Sequence, residues 1–231
     1  MVKKGLGDSY ENTVIMEQLR GIVDLTKPAS SLGITLAVPF AAVIYASLSG
    51  LDQLAFLRQN FLDIVYASVT LFLIHGGSQA LNHAEDAEMD KQTDHKDTRP
   101  IPAGVLTEED SRAIAWMFIM AGVARAFTTT LQFGVFASVL ALFGVFYNLE
   151  PIRAKKILWV NIIWQATSRG LLLYPAAFSI WDAGLNPFAW AMGSVSFLLV
   201  LSMQQTADFS DVEIDERFGI ITPAVHYGLR D

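Results

Sequence analysis

Apolar stretches of about 20 residues recur along this chain, with short ionisable segments between them, and that alternation limits the fold more than any other feature. About 20 apolar residues are needed for a helix to cross the hydrocarbon core of a bilayer. On that rule the sequence predicts six spans, roughly 29–49, 60–84, 110–130, 132–149, 157–180 and 187–207. Composition agrees, because only 17% of the residues are charged where an ordinary soluble domain has about a quarter. The expected fold class is all-α, a polytopic transmembrane helical bundle in which each backbone polar group finds its partner within a helix. Pro39 falls inside the first span, where neighbouring helices can accommodate it. The absence of cysteine excludes disulfides, thiolate metal sites and cysteine nucleophiles. A net charge of −7 argues against a nucleic-acid partner, which needs a basic face.

The distribution of Lys and Arg sets the expected orientation. Thirteen of the 16 fall in the N-terminal segment, the loops after spans two and four, and the tail after span six. Only Arg58 and Arg125 fall on the other side, and Arg169 lies within span five. This bias predicts a cytoplasmic N-terminus and an integral, multi-pass protein. Residues 10–25 place Val14, Ile15, Leu19, Ile22 and Val23 at helical spacing, which predicts an amphipathic helix on the cytoplasmic surface. Residues 1–231 read as a single membrane domain without internal repeats.

Acidic residues are concentrated in two segments at the cytoplasmic ends of spans two and six, 85–108 with its flank to Asp110 and 208–217. Together they hold 14 of the 23 Asp and Glu residues. If span two continues as a helix, Asn82, Asp86 and Asp90 form one stripe, since a four-residue step passes a full turn by only about 40°. Asp208, Asp211 and Asp215 share a helical face in the same way. Like charges so grouped repel and raise each other's pKa unless a cation compensates. Hard oxygen ligands suit Mg²⁺, which takes one or two carboxylates together with phosphate oxygens. Two such stripes could clamp a diphosphate through Mg²⁺, with Arg99, Arg153 and Lys155 neutralising the remainder. The plain alternative is a set of solvated charges capping helix ends.

Polar residues inside the spans point the same way. Asn161, Gln165 and Arg169 recur every four residues in span five and share one face, which should look into the bundle or a wet cavity. An interhelical hydrogen-bond network is the alternative. Gln204 and Gln205 extend the polar lining above Asp208. The four histidines have no metal-ligand spacing, and His75 stands apart because it is mid-span.

The ordered motifs resemble those of the UbiA-type intramembrane prenyltransferases. Asn82, Asp86 and Asp90 are similar to the family's first Asp-rich motif, Asn-x3-Asp-x3-Asp. Lys96-Asp-Thr-Arg99-Pro-Ile-Pro-Ala-Gly104 resembles the Arg-Pro segment that follows it, and Tyr147-Asn-Leu-Glu-Pro151-Ile-Arg153-Ala-Lys155 resembles the loop after the fourth helix. Arg169-Gly170 and the series Asp208, Asp211, Asp215 complete the pattern. The resemblance implies an isoprenoid diphosphate donor whose head lies between the motifs and whose tail lies in an apolar tunnel. A hydrophobic acceptor, aromatic or lipid, would be alkylated in the membrane at a site facing the cytoplasm. Asp86, Asp90, Asp208 and Asp215 would bind Mg²⁺, with Asp211 joining them in catalysis. Asn82, Arg99, Tyr147, Arg153, Lys155, Asn161, Gln165 and Arg169 would contact substrate.

The chain departs from the pattern at His83, where the family usually has Asp, at Met203, and at Ala207, where it typically has Lys. The family usually has nine helices, so the resemblance also implies that the last three are missing here. A natural short form, a fragment and a homo-oligomer that completes its cavity all fit that expectation. A membrane terpene cyclase and a non-catalytic homologue are the competing functions within the fold. A CDP-alcohol phosphotransferase would require an Asp-Gly-x2-Ala-Arg core that this sequence lacks.

Overall fold

The computed structural model describes residues 4–93, 96–207 and 212–228. It is helical throughout, and no strand occurs among the described residues. The elements are α1 (Lys4–Leu25), α2 (Pro28–Thr35), α3 (Ala37–Leu48), α4 (Gln53–Gln59), α5 (Phe61–Glu85), α6 (Ala87–Asp90), α7 (Glu108–Phe127) and α8 (Leu131–Asn148). They continue with α9 (Val160–Ala166), α10 (Leu173–Phe178), α11 (Pro187–Ala207), α12 (Val212–Arg217) and α13 (Pro223–Tyr227). Helical structure stands at each of the six predicted spans. Among the described residues, Pro28–Leu48, Phe61–Glu85 and Leu131–Asn148 are long and apolar enough to cross a membrane, and Pro187–Met203 is a shorter apolar helix.

Three expectations need correction. The predicted interfacial helix 10–25 is the end of a longer helix, α1, which starts at Lys4. Span one is broken at Leu36 into α2 and α3, because Pro39 has no N–H for the Thr35 carbonyl. Ser68 Oγ of α5 approaches that freed carbonyl at 3.5 Å. Span five is not one helix but α9, a π-turn at Thr167–Leu171, α10 and a 3₁₀ turn at Ser179–Trp181. Pro175 leaves the Leu171 carbonyl without its helical donor. Gly193 of α11 presses against that same carbonyl so closely that no side chain would fit.

α5 is the central helix and packs on α2, α3, α7 and α8. Its contact with α7 is reciprocal. Ile119 of α7 enters the gap left by Gly77, and Ile74 of α5 enters the gap left by Gly122. Small residues let membrane helices approach until dispersion contacts hold them, in the absence of a strong hydrophobic drive. The core follows that rule, with Ala37, Ala41, Ala42, Ala67, Ala126, Ala137, Ala141 and Ala177 buried around Leu71, Phe133 and Phe178. At the end away from the acidic motifs, Tyr45 stacks on Trp181, with centroids 5.2 Å apart, and Trp181 Nε1 donates to Asn60 Oδ1 at 3.3 Å.

A Cβ at Gly77 would lie 2.7 Å from Ile119 Cγ1 and 2.8 Å from the Ala115 carbonyl oxygen. Gly77→Ala should therefore cost about 2 kcal/mol, as overpacking usually does. Gly33→Ala, which meets nothing within 4 Å, should be neutral or stabilising. Thermal unfolding in detergent compares the two, and equal melting temperatures would refute the close-packing account.

Candidate active site

Where α5 ends, its backbone bends at Asp86 without losing register. Asp86 N donates to Asn82 O at 3.0 Å, and Asp90 N donates to Asp86 O at 2.8 Å. The stripe Asn82, Asp86, Asp90 therefore survives the turn between α5 and α6, although the helix expected through it is interrupted. Asn82 Nδ2 donates to Asp86 Oδ2 at 2.8 Å and to Asn148 Oδ1 at 3.1 Å. Lys155 Nζ donates to Asp86 Oδ1 at 2.5 Å, and both partners are nearly buried. Arg99 Nη1 donates to Asp90 Oδ2 at 2.6 Å, with Lys96 Nζ 3.9 Å from Asp90 Oδ1.

These groups border a cavity of about 400 Å³. Asp86 lines it from the first acidic motif and Asp215 of α12 from the second. The basic residues Lys27, Lys96, Arg99, Lys155 and Arg169 line it as well. Asp90 lies just behind the wall, 1% exposed. Asp208 and Asp211, predicted to complete the second motif, lie outside the described residues. Arg153, predicted to face an anion, instead points Nη2 at the Glu85 carbonyl, 3.4 Å away. The predicted polar face of span five is present. Tyr147 Oη donates to Asn161 Oδ1 at 2.9 Å, and Gln165 Nε2 donates to Tyr147 Oη at 2.8 Å and to Asn161 Oδ1 at 3.0 Å. All three residues line the cavity beside Arg169, so this network is also a cavity wall.

Several acidic residues of the first segment belong to helix ends instead. Asp110 and Thr107 form a capping box at the start of α7, Glu108 pairs with Lys91 at 3.2 Å, and Glu85 pairs with Arg112 at 2.8 Å. The polar lining residues Lys27, Ser30, Ser78, Gln79, Asn148 and Thr222 were missed in the sequence. Lys27 holds a left-handed conformation (φ 45°) immediately before Pro28. Its position before proline, which disfavours the helical conformation, was the available signal. Thr222 caps α13, and Ile221 N donates to Lys156 O at 3.3 Å, so α12 and α13 fold back over the cavity.

Burial and the neighbouring cations Arg99 and Arg169 push the Lys27 ammonium down to about 8. Burial likewise lowers Lys155, against the opposing pull of Asp86. Burial holds the Asp90 carboxyl above its usual range, outweighing Arg99 and Lys96. Asp90 Oδ1 and His83 Nε2 are buried without hydrogen bonds. No three carboxylate or imidazole groups among the described residues form a ready-made metal cluster. The donors present are nonetheless hard oxygens, and the unbonded Asp90 Oδ1 suits a divalent cation of the Mg²⁺ type.

A second, narrow pocket of about 50 Å³ continues from this cavity into the bundle and is mainly apolar, with Ile34, Leu71, Ile74, Leu140, Phe143 and Trp164 in its walls. It shares Ser78, Tyr147, Gln165 and Arg169 with the polar cavity.

The model of the UbiA prenyltransferase family matches residues 32–231. The chain belongs to the UbiA prenyltransferase family. It is 28% identical over 214 residues to a digeranylgeranylglyceryl phosphate synthase of Methanoregula boonei, an alignment covering 92% of this chain and 70% of the relative. It is 30% identical over 178 residues to a probable chloroplastic homogentisate phytyltransferase 2 of Oryza sativa, covering 72% of this chain and 45% of that one. A UbiA homologue from Archaeoglobus fulgidus, solved with GPP and Mg²⁺, superposes with a TM-score of 0.71 at 19% identity, covering 90% of this chain and 69% of the other. The fold expectation thus holds: this is an all-helical UbiA-type bundle of an integral membrane family. The family's enzymes transfer isoprenoid groups to acceptors, and this member belongs with the prenyltransferases.

Removing one partner of a buried ion pair leaves the other charge uncompensated and typically costs about 3–5 kcal/mol. Lys155→Met should therefore destabilise the protein by about 3 kcal/mol, and Lys155→Met with Asp86→Leu should recover most of that loss. Unfolding midpoints in detergent test the pair, and additive effects of the two changes would show that they do not interact.

Proposed function

We propose that this chain transfers a prenyl group from an isoprenoid diphosphate to an acceptor held in the membrane. The observation that carries this reading is the junction of a cation-lined cavity holding Asp86 and Asp215 with an apolar pocket through shared walls. A prenyl diphosphate has the same division, a multiply charged head on an apolar tail. The GPP and Mg²⁺ of the Archaeoglobus fulgidus homologue support the same assignment.

In this reading Asp86, Asp90, Asp208 and Asp215 hold Mg²⁺, with Asn82 and Asp211 beside them. Bound there, the metal supplies Lewis-acid stabilisation of the charge that develops on the departing diphosphate. Lys27, Lys96, Arg99, Lys155 and Arg169 bind the diphosphate head and neutralise what the metal leaves. The network of Tyr147, Asn161 and Gln165 separates the head from the tail. The apolar pocket excludes water from the allylic carbon, and the chain's remaining contribution is to position the acceptor. Arg153 acts one step removed, through the Glu85 carbonyl.

The Lys and Arg bias supports a cavity open to the cytoplasm. We further propose six crossings in a single membrane domain. Exposed apolar side chains such as Phe40 and Leu198 would face lipid. The exposed stripe Ile15, Leu19 and Val23 of α1 would lie at the interface.

Prenyl transfer by the purified chain, with geranyl to geranylgeranyl diphosphate as donors and aromatic and glycerol-lipid acceptors, tests the proposal. Turnover should require Mg²⁺. Asp86→Asn should lower it at least 100-fold while circular dichroism stays helical, and full activity in that variant would overturn the assignment.

The charge on Lys27 gives a second test. An ammonium that titrates near 8 is charged below that pH and attracts the diphosphate there. Donor kcat/KM, which reports the free enzyme, should therefore fall as pH rises through about 8. Lys27→Arg should remove that alkaline limb, and an unchanged profile would exclude Lys27 from diphosphate binding.

A further inference from the structure

His75 is a buried polar group that the reaction described above does not use. It sits in α5, 8% exposed, and its ring lines the apolar pocket. Ser31 of α2 fixes the ring's protonation through a simple count. Ser31 Oγ lies 2.6 Å from the Thr26 carbonyl oxygen and 3.0 Å from His75 Nδ1. A carbonyl only accepts, and a hydroxyl has one proton to give. Ser31 must therefore donate to Thr26 and accept from His75, which puts the ring proton on Nδ1. In the neutral ring, Nε2 then presents a lone pair. Gln79 Nε2 approaches it at 3.5 Å, the outer limit of a hydrogen bond, and Gln79 lines the polar cavity. An acceptor atom of fixed orientation is thus held where the polar cavity meets the apolar pocket.

A prenyl diphosphate has no O–H or N–H on its tail with which to use that lone pair. The second substrate can have one. We propose, on the basis of the prenyl-transfer reading, that His75 Nε2 binds the hydroxyl of the acceptor and takes its proton during transfer. The acceptor oxygen donates a lone pair to the allylic C1, and the C1–O bond electrons leave with the diphosphate. The hydroxyl proton moves to Nε2, and the resulting imidazolium keeps its Nδ1–H on Ser31. The charged groups acting on the ring are Lys27, at the start of α2, and Arg169, in the π-turn, both cationic. The departing diphosphate is the anion that offsets them and finally accepts the proton. His75 is in this sense a catalytic residue, and Ser31 is a positioning residue.

The test has two arms. In the first, the full chain in nanodiscs is labelled with ¹⁵N-histidine, and the His75 ring signals are identified by their loss in His75→Gln. The ring should show the Nδ1–H tautomer, and Nε2 should shift on addition of phenol or a monoacylglycerol but not of anisole. An Nε2–H tautomer, or equal responses to phenol and anisole, would overturn the proposal. In the second arm, His75→Gln should lower kcat for transfer to a hydroxyl acceptor about 100-fold. Binding of geranyl diphosphate with Mg²⁺ should change less than twofold. Ser31→Ala, which leaves the ring in place, should cost about tenfold in kcat. Wild-type kcat in His75→Gln would also overturn the proposal. If the wild-type chain neither binds geranyl diphosphate nor transfers, the prenyl-transfer reading fails, and the ¹⁵N arm still decides whether Nε2 is a hydroxyl site.

Discussion

The site depends on neutralising carboxylates that the fold has taken out of water. Asp86 is nearly buried at the bend between α5 and α6, where Lys155 reaches it from the loop after α8 and Asn82 donates from the preceding turn. Burying a lone carboxylate would cost several kcal/mol, so these contacts determine where that loop must lie. Asn148, at the end of α8, is drawn into the same cluster through Asn82. One compensation thereby ties the end of span two to the connection between spans four and five. Arg99 and Lys96 serve Asp90 in the same way from the segment that follows α6. Cations that offset the acidic motif in the free protein also line the cavity that an anion would enter.

How much of this could be read in advance depended on whether the information was local. The stripe Asn82, Asp86, Asp90 was legible because helical register persists through the bend, even though the helix label does not. The face of Asn161, Gln165 and Arg169 was legible for the same reason, although the π-turn begins between its last two members. In the sequence Lys27 is legible only as a positive charge, because its place in the cavity wall depends on a left-handed turn and on Arg99 and Arg169 converging from distant segments. The breaks in spans one and five had signals in Pro39 and Pro175. Whether a membrane helix bends, breaks or stays whole at proline is decided by its neighbours, here Ser68 and Gly193. Charge counting could not separate Asp110, which caps a helix, from Asp86, which faces the cavity, since both belong to one acidic segment.

The break in span five shapes the wall of both spaces. The π-turn inserts a residue's worth of register between Gln165 and Leu173, and both of these line the apolar pocket. Gly170 makes room for the backbone of Phe197, and Gly193 makes room for the Leu171 carbonyl, so α11 supports the irregular segment along its length. Arg169, carried on that segment, borders the polar cavity and the apolar pocket at once. π-turns are often found at functional sites because they move side chains without ending the helix.

The same geometry explains how a charged head and an apolar tail can be served by adjoining spaces. Polar groups in the hydrocarbon region are tolerable only where they satisfy one another. Tyr147, Asn161 and Gln165 do so in a closed triangle, leaving aliphatic and aromatic side chains to form the pocket beyond them. Ser31 holds the ring of His75, another lining residue of the pocket, and is itself anchored to the Thr26 carbonyl just before α2. Tyr147 and Gln165 of that triangle line both spaces, so the boundary between them runs along this hydrogen-bonded cluster. Asp86 and Asp90 are neutralised independently of that cluster, by Lys155 on the one and by Arg99 and Lys96 on the other, so the acidic end of the cavity and its apolar end are held by separate sets of contacts.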